Sequence, residues 1–151
     1  MSSTTPTFSD ADLLSAFDDT SLPIDRFHHA QHVRMAFLYL QTYEPLEAIA
    51  RFSEALKRFA AAHGKPGLYH ETITWAYLLL IRERLARAGT FQTWDEFAAH
   101  NPDLLTWRDG ILAKYYRPET LQSPLARRVF VFPNLQPLRS LCPLTLPSPH
   151  R

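Results

Sequence analysis

The sequence holds a single cysteine, Cys142, which excludes an internal disulfide and any zinc site built on thiolates. It also lacks an excess of either charge. Sixteen Lys and Arg stand against 15 Asp and Glu, a formal net charge of +1, and the basic residues are interspersed with acidic ones. That leaves no electrostatic footprint for nucleic acid. The longest apolar run, around Trp75 to Ile81, falls far short of the ~20 residues needed to cross a bilayer. The opening MSSTTPTFSD has neither the basic start nor the apolar stretch of a secretory signal. No segment is repeated, and the single β-like run, Val129 to Pro133, has no second strand to pair with. These absences point to a cytoplasmic protein of bacterial type, with no nucleic-acid partner and no membrane partner.

What is present suits one helical domain. A chain of 151 residues, 46% hydrophobic and 21% charged, is long enough to bury one core. Ser9 can cap a first helix carrying Leu13, Leu14 and Phe17, with Asp10 and Asp12 at its positive end. A second helix is expected over about 28 to 42. Pro45 suits the first position of a third, on which Leu46, Ile49, Phe52, Leu56, Phe59 and Ala60 recur at helical spacing, with Gly64 as its stop. A fourth is expected from about 69 to 88, closed by Gly89. Thr93 to Glu96 reads as a capping box for a short helix reaching His100. Asn101-Pro102 should start another through Leu104, Leu105 and Trp107, and Pro118 to Arg128 should form the last. The expected fold is an all-α, single-domain helical bundle of about five to seven helices with an irregular C-terminal extension. Its parts are a disordered start over 1–8, a helical domain over 9–136 and a proline-rich tail over 137–151.

The chemistry-bearing stretch is Phe27-His28-His29-Ala30-Gln31-His32-Val33, where three histidines fall within five residues. At about 100° per residue, His29 shares an arc with Val33, Ala36, Phe37 and Leu40. His32 lies in the same arc beside Met35 and Tyr39, while Gln31, Arg34 and Gln41 mark the wet face. Short connections make neighbouring helices antiparallel. The start of the second helix, the end of the third and the start of the fourth then share one pole, which brings His28, His29, His32, His63 and Tyr69-His70-Glu71 together.

Zinc takes three or four N or O ligands. His29, His32 and His70 can supply three nitrogens, and Glu71 is the carboxylate nearest to act as base or fourth ligand. Tyr69, Thr74, Tyr77 and Tyr39 are candidates to support the ligands or line a substrate site. A metal-bound water would then attack an ester or phosphoester, such as a phosphotriester, of a small-molecule substrate. Zinc is the favoured metal, with iron or manganese as alternatives. Tyr115, Tyr116, Arg117, Arg127 and Arg128 are candidates to cover the mouth.

Each residue also has a plainer reading. His28 suits a solvated helix start, His63 the negative end of its helix, and Glu71 the positive end of the next. Tyr39 and Tyr77 suit core aromatics. Arg84, about 21 Å along the helix axis from His70, suits an ion pair with a carboxylate from the C-terminal half. Two further hypotheses therefore stand beside the hydrolase. One is a metal-free ligand-binding module whose pocket is lined by Phe37, Tyr39, Tyr77 and the histidines. The other is a non-haem iron oxygenase using His29, His70 and Glu71. A homodimer is compatible with all three.

The combination Phe27-x-His29-x-x-His32, Tyr69-His70-Glu71-Thr72-Ile73-Thr74 and Leu121-x-Ser123-x-x-Ala126-Arg127 resembles a family of small bacterial all-helical proteins with F-x-H-x-x-H and Y-H-E-T-[IL]-T signatures. The likeness spans roughly residues 20 to 135. It implies that His29, His32, His70 and Glu71 are the positions to examine, and it implies no particular reaction.

Overall fold

The computed structural model describes residues 9–135. The expected disordered start, the proline-rich tail and Cys142 lie outside the described residues. The fold is an all-α bundle, with seven α-helices and no strand among the described residues.

Helix α1 (Asp10–Asp18) is capped by Ser9, whose hydroxyl accepts from the Asp12 N–H at 3.1 Å. It sends Leu13 and Phe17 into the core. Helix α2 (His29–Thr42) packs against α1, against α3 (Pro45–Ala62), against α4 (Glu71–Ala88) and against α5 (Trp94–His100). Its neighbours surround it so closely that six consecutive residues, Met35 to Leu40, are all buried. A helix buried all round needs apolar residues all round. The narrower apolar arc expected from the sequence is therefore right for its first turns only.

Helix α3 runs from Pro45 at its first position to His63 at its C-cap, and Gly64 follows with a left-handed φ of 68°. Its buried face is Ala48, Phe52, Ala55, Leu56, Phe59 and Ala60, whereas Leu46 points out and is 83% exposed. Phe17, Phe27 and Phe59 form one aromatic nucleus with ring centroids 4.6 to 5.5 Å apart, a spacing that adds to the stabilisation from burial. Gly89, at φ 67°, ends α4. The Thr93/Glu96 capping box starts α5 as expected.

Beyond α5 the backbone departs from the expected helices. In place of the helix expected after Asn101 stands a 3-10 turn, Pro102–Leu104, and a second, Ile111–Lys114, follows it. The stretch from Pro118 divides into α6 (Pro118–Leu121) and α7 (Pro124–Arg128). Pro124 explains the break: it has no N–H to continue a helix and disfavours helical backbone at Ser123. Ser123 is extended, at ψ 146°, and its hydroxyl accepts from the Ala126 N–H to begin α7 anew. Arg84 of α4 pairs with Asp103 (2.8 Å) and donates to Asn101 Oδ1 (2.8 Å), the ion pair anticipated for it. No helix of the described residues is long and apolar enough to cross a membrane.

Candidate functional site

The first turns of α2 and α4 meet α3 at one pole and leave between them a cavity of about 370 Å³. His29, His32 and His70 all line it, together with Phe27, Val33, Ala36, Phe52, Leu56, Leu68, Ile73, Thr74, Tyr77 and Trp107. His29 and His32 of α2 thus share one cavity with His70, about 40 residues further along the chain.

Their hydrogen bonds set them apart. His70 stands one residue before α4, as its N-cap, and its Nδ1 accepts from the Ile73 N–H at 3.2 Å. Serine, threonine or aspartate usually fills this role. The other nitrogen, Nε2, lies 2.7 Å from the Leu121 carbonyl. A carbonyl only accepts, so Nε2 carries the proton, and both ring nitrogens are engaged. His29 opens α2, and its Nε2 donates to the Leu104 carbonyl at 2.8 Å. That bond leaves its Nδ1 as a bare acceptor, for which the described residues provide no hydrogen-bond partner. The ring sits between Tyr77 and Trp107, with centroids 5.0 and 5.1 Å away. His32 stacks on Phe27 at 3.9 Å.

Desolvation disfavours the charged form of all three imidazoles. It lowers His29 and His70 below the ordinary histidine value and brings His32 down to about 4, assisted by His29. Burial likewise raises the Tyr77 hydroxyl to about 12. No Asp, Glu, Lys or Arg lines the cavity, which is therefore neutral at physiological pH.

The remaining candidates divide. Thr74 and Tyr77 are buried and line the cavity. Glu71 and Tyr69 do not line it; the Tyr69 hydroxyl donates to Glu71 Oε1 at 2.5 Å, and the Tyr69 ring lies beneath Lys57. Glu71 sits in the first turn of α4, where the helix dipole favours a carboxylate. Tyr39 is buried against Phe17 and Phe52 and borders a different cavity with Asp18, Arg51 and Arg58, where burial pushes its hydroxyl up to about 12. Phe37 packs on Trp94 and Phe97, away from the histidines. Of the residues proposed for the mouth, Tyr115 and Tyr116 border a different cavity, whereas Arg127 reaches the edge of this one beside Leu68. Tyr116 is buried with its hydroxyl on the Val131 carbonyl (2.7 Å), and Arg127 holds the Gly67 and Tyr69 carbonyls. His28 is exposed at the N-cap of α2, and His63 packs on Phe59.

Zinc, iron or manganese would need three such donors free and convergent, and the residues present do not fit that requirement. Among the described residues, no group of three or more His, Cys, Asp or Glu is arranged to hold a metal ion. To bind through either nitrogen His70 would have to give up its helix cap or its bond to Leu121, and Glu71, bonded to Tyr69, does not line the cavity.

Comparison with protein-family models, curated proteins and solved structures gives no match. The signature residues are therefore interpreted by what they touch in this structure, where two of the three segments interlock. His70 bonds Leu121. The Thr72 hydroxyl lies 2.6 Å from the Ala126 carbonyl and 2.9 Å from that of Val129, and accepts from the Val131 N–H at 3.1 Å. Arg127 returns to the residues flanking Leu68. Together they clasp the C-terminal segment onto α4.

Sequence reasoning missed Trp107, Leu68 and the Leu104 carbonyl. The sequence pattern puts Trp107 on a helix, whereas it lies in the irregular connection between the two 3-10 segments and is 58% exposed at the cavity rim. Asp109-Gly110, two residues further on, is the available signal, since such pairs mark turns. Asp109 has a φ of 49°, and a Cβ on Gly110 would come 2.6 Å from the Thr106 carbonyl oxygen.

Proposed function

We propose that this protein is a metal-free binding module for an uncharged, largely apolar small molecule, held at the pole of the bundle between α2, α3 and α4. The observation that carries this reading is a neutral cavity of about 370 Å³ whose walls are chiefly aliphatic and aromatic, with a few polar atoms left for a ligand. Small-molecule sites usually have this size and makeup. The absence of charged lining residues disfavours an ionic ligand, because a desolvated charge without a partner is costly.

The metal-dependent hydrolase with Glu71 as base has one observation in its favour, the shared cavity of His29, His32 and His70. Against it stand the hydrogen bonds that occupy His70 and Glu71. The iron oxygenase reading needs the same two residues and meets the same obstacle.

Titration with a neutral environment-sensitive dye such as N-phenyl-1-naphthylamine separates these readings. The binding module predicts saturable one-to-one binding that a chelator leaves unchanged and that His29→Ala weakens. No saturable binding would overturn it. Binding abolished by EDTA and restored by one equivalent of zinc would return the metal reading.

A further inference from the structure

The cavity wall contains an acceptor that folding has not used. The Leu104 carbonyl fixes the His29 proton on Nε2, so Nδ1 presents a lone pair with no partner among the described residues. This tautomer is held from outside the cavity: Asn101 and Asp103, on the turn that bears Leu104, are anchored by Arg84. The loop is further braced where the Asn101 side chain donates to the Phe97 carbonyl at 2.8 Å.

Around that acceptor the walls are rings. Trp107 and Tyr77 flank His29, while Phe27 carries His32 stacked at 3.9 Å and Phe52 completes the side formed by α3. Flat walls favour a flat occupant, through offset or edge contacts between rings. An acceptor on the wall of the half-buried His29 is hydrated while the cavity is open and loses that water when an apolar molecule fills it, so the occupant that fits best brings an O–H or N–H to His29.

Building on the binding-module reading, we infer that the ligand is a neutral planar aromatic molecule with a hydrogen-bond donor, of the phenol or indole class, and that His29 Nδ1 is the atom that recognises the donor. His29 is thus the specificity-determining residue, and the rings supply most of the affinity.

The test is a calorimetric series with the full-length protein and three probes of one shape: naphthalene, 1-naphthol and 1-naphthoate. 1-Naphthol should bind about tenfold more tightly than naphthalene, the equivalent of one net hydrogen bond, and 1-naphthoate should bind most weakly. In His29→Phe the naphthol preference should vanish while naphthalene still binds. Equal affinities for naphthol and naphthalene in the unsubstituted protein, or a preference for naphthoate, would overturn the inference and leave the binding module standing. Failure of all three probes to bind would overturn both. The wild-type series decides the matter even if the variant does not fold.

Discussion

His70 and His29 both stand at the start of a helix, one as the N-cap of α4 and the other as the first residue of α2, and line the same cavity, yet they do different work. His70 is spent on folding: one nitrogen caps α4 and the other holds the Leu121 carbonyl. His29 gives one nitrogen to folding, on the Leu104 carbonyl, and keeps the other unengaged. The region around His70 extends this pattern, with the Thr72 hydroxyl serving three backbone groups of the C-terminal segment. A polar residue whose hydrogen-bonding capacity is filled by backbone stabilises the fold and has little left for a ligand. One with a free lone pair in a neutral cavity contributes less to stability and is available for recognition.

The largest effect that can break this contrast is expected at Thr72. Thr72→Val keeps the shape but removes the hydroxyl shared by Ala126, Val129 and Val131, and should cost about 2–3 kcal/mol in urea unfolding. Dye binding below the transition should persist. Next, His70→Ala should cost about 2 kcal/mol, combining a lost helix cap with a lost side-chain-to-backbone bond. Zinc should not offset that loss in either protein. A stabilisation of the unsubstituted protein by one equivalent of zinc, absent from His70→Ala, would reverse the assignment of the two histidines.

A third prediction concerns pH. Folding lowers the affinity of His29, His32 and His70 for protons, mainly by desolvation, and His32 falls to about 4. The unfolded chain, with ordinary imidazoles near 6.5, therefore binds protons first as pH falls. The stability associated with neutral His32 is complete above about 6.5 and is lost progressively towards pH 4. His32→Phe, which retains a ring to stack on Phe27, should flatten the unfolding midpoint between those limits. An unchanged slope would mean that His32 is not desolvated in the folded protein.

The smallest effect on stability is expected at His29. His29→Phe should shift unfolding by less than about 1 kcal/mol, since the partly buried ring is replaced by another ring and the Leu104 carbonyl loses one bond. A loss as large as that of His70→Ala would erase the distinction between the two regions.

The legibility of these regions in the sequence differs for a physical reason. The helices as far as His100 are readable because their signals are local: Ser9 and Thr93 as caps, Pro45 as a start, Gly64 and Gly89 as stops. The short elements after Asn101 were misjudged because their turn chemistry competes with helix formation. Ser123-Pro124 is itself a local start signal, a cap followed by proline, and it divides the helix expected over Pro118 to Arg128. Of the site, the meeting of His29 and His32 with His70 follows from helix order and short connections, and Thr74 and Tyr77 share the helix face of His70. Tyr39 and Phe37 fall outside it because a helix enclosed by four neighbours, unlike the one-sided helix its sequence suggests, sends adjacent residues into different environments.

By itself the sequence determined that this chain forms a bundle of helices and that imidazoles gather at one pole of it. Periodicity and caps act within a few residues, and short connections leave little choice of direction. Only the tertiary structure decided what those imidazoles do, because a histidine's role depends on which atoms lie within 3 Å of each nitrogen. Leu104 and Leu121 provide those atoms through their carbonyls. Every residue has such a carbonyl, so side-chain patterns in the sequence cannot reveal which one a distant histidine will meet.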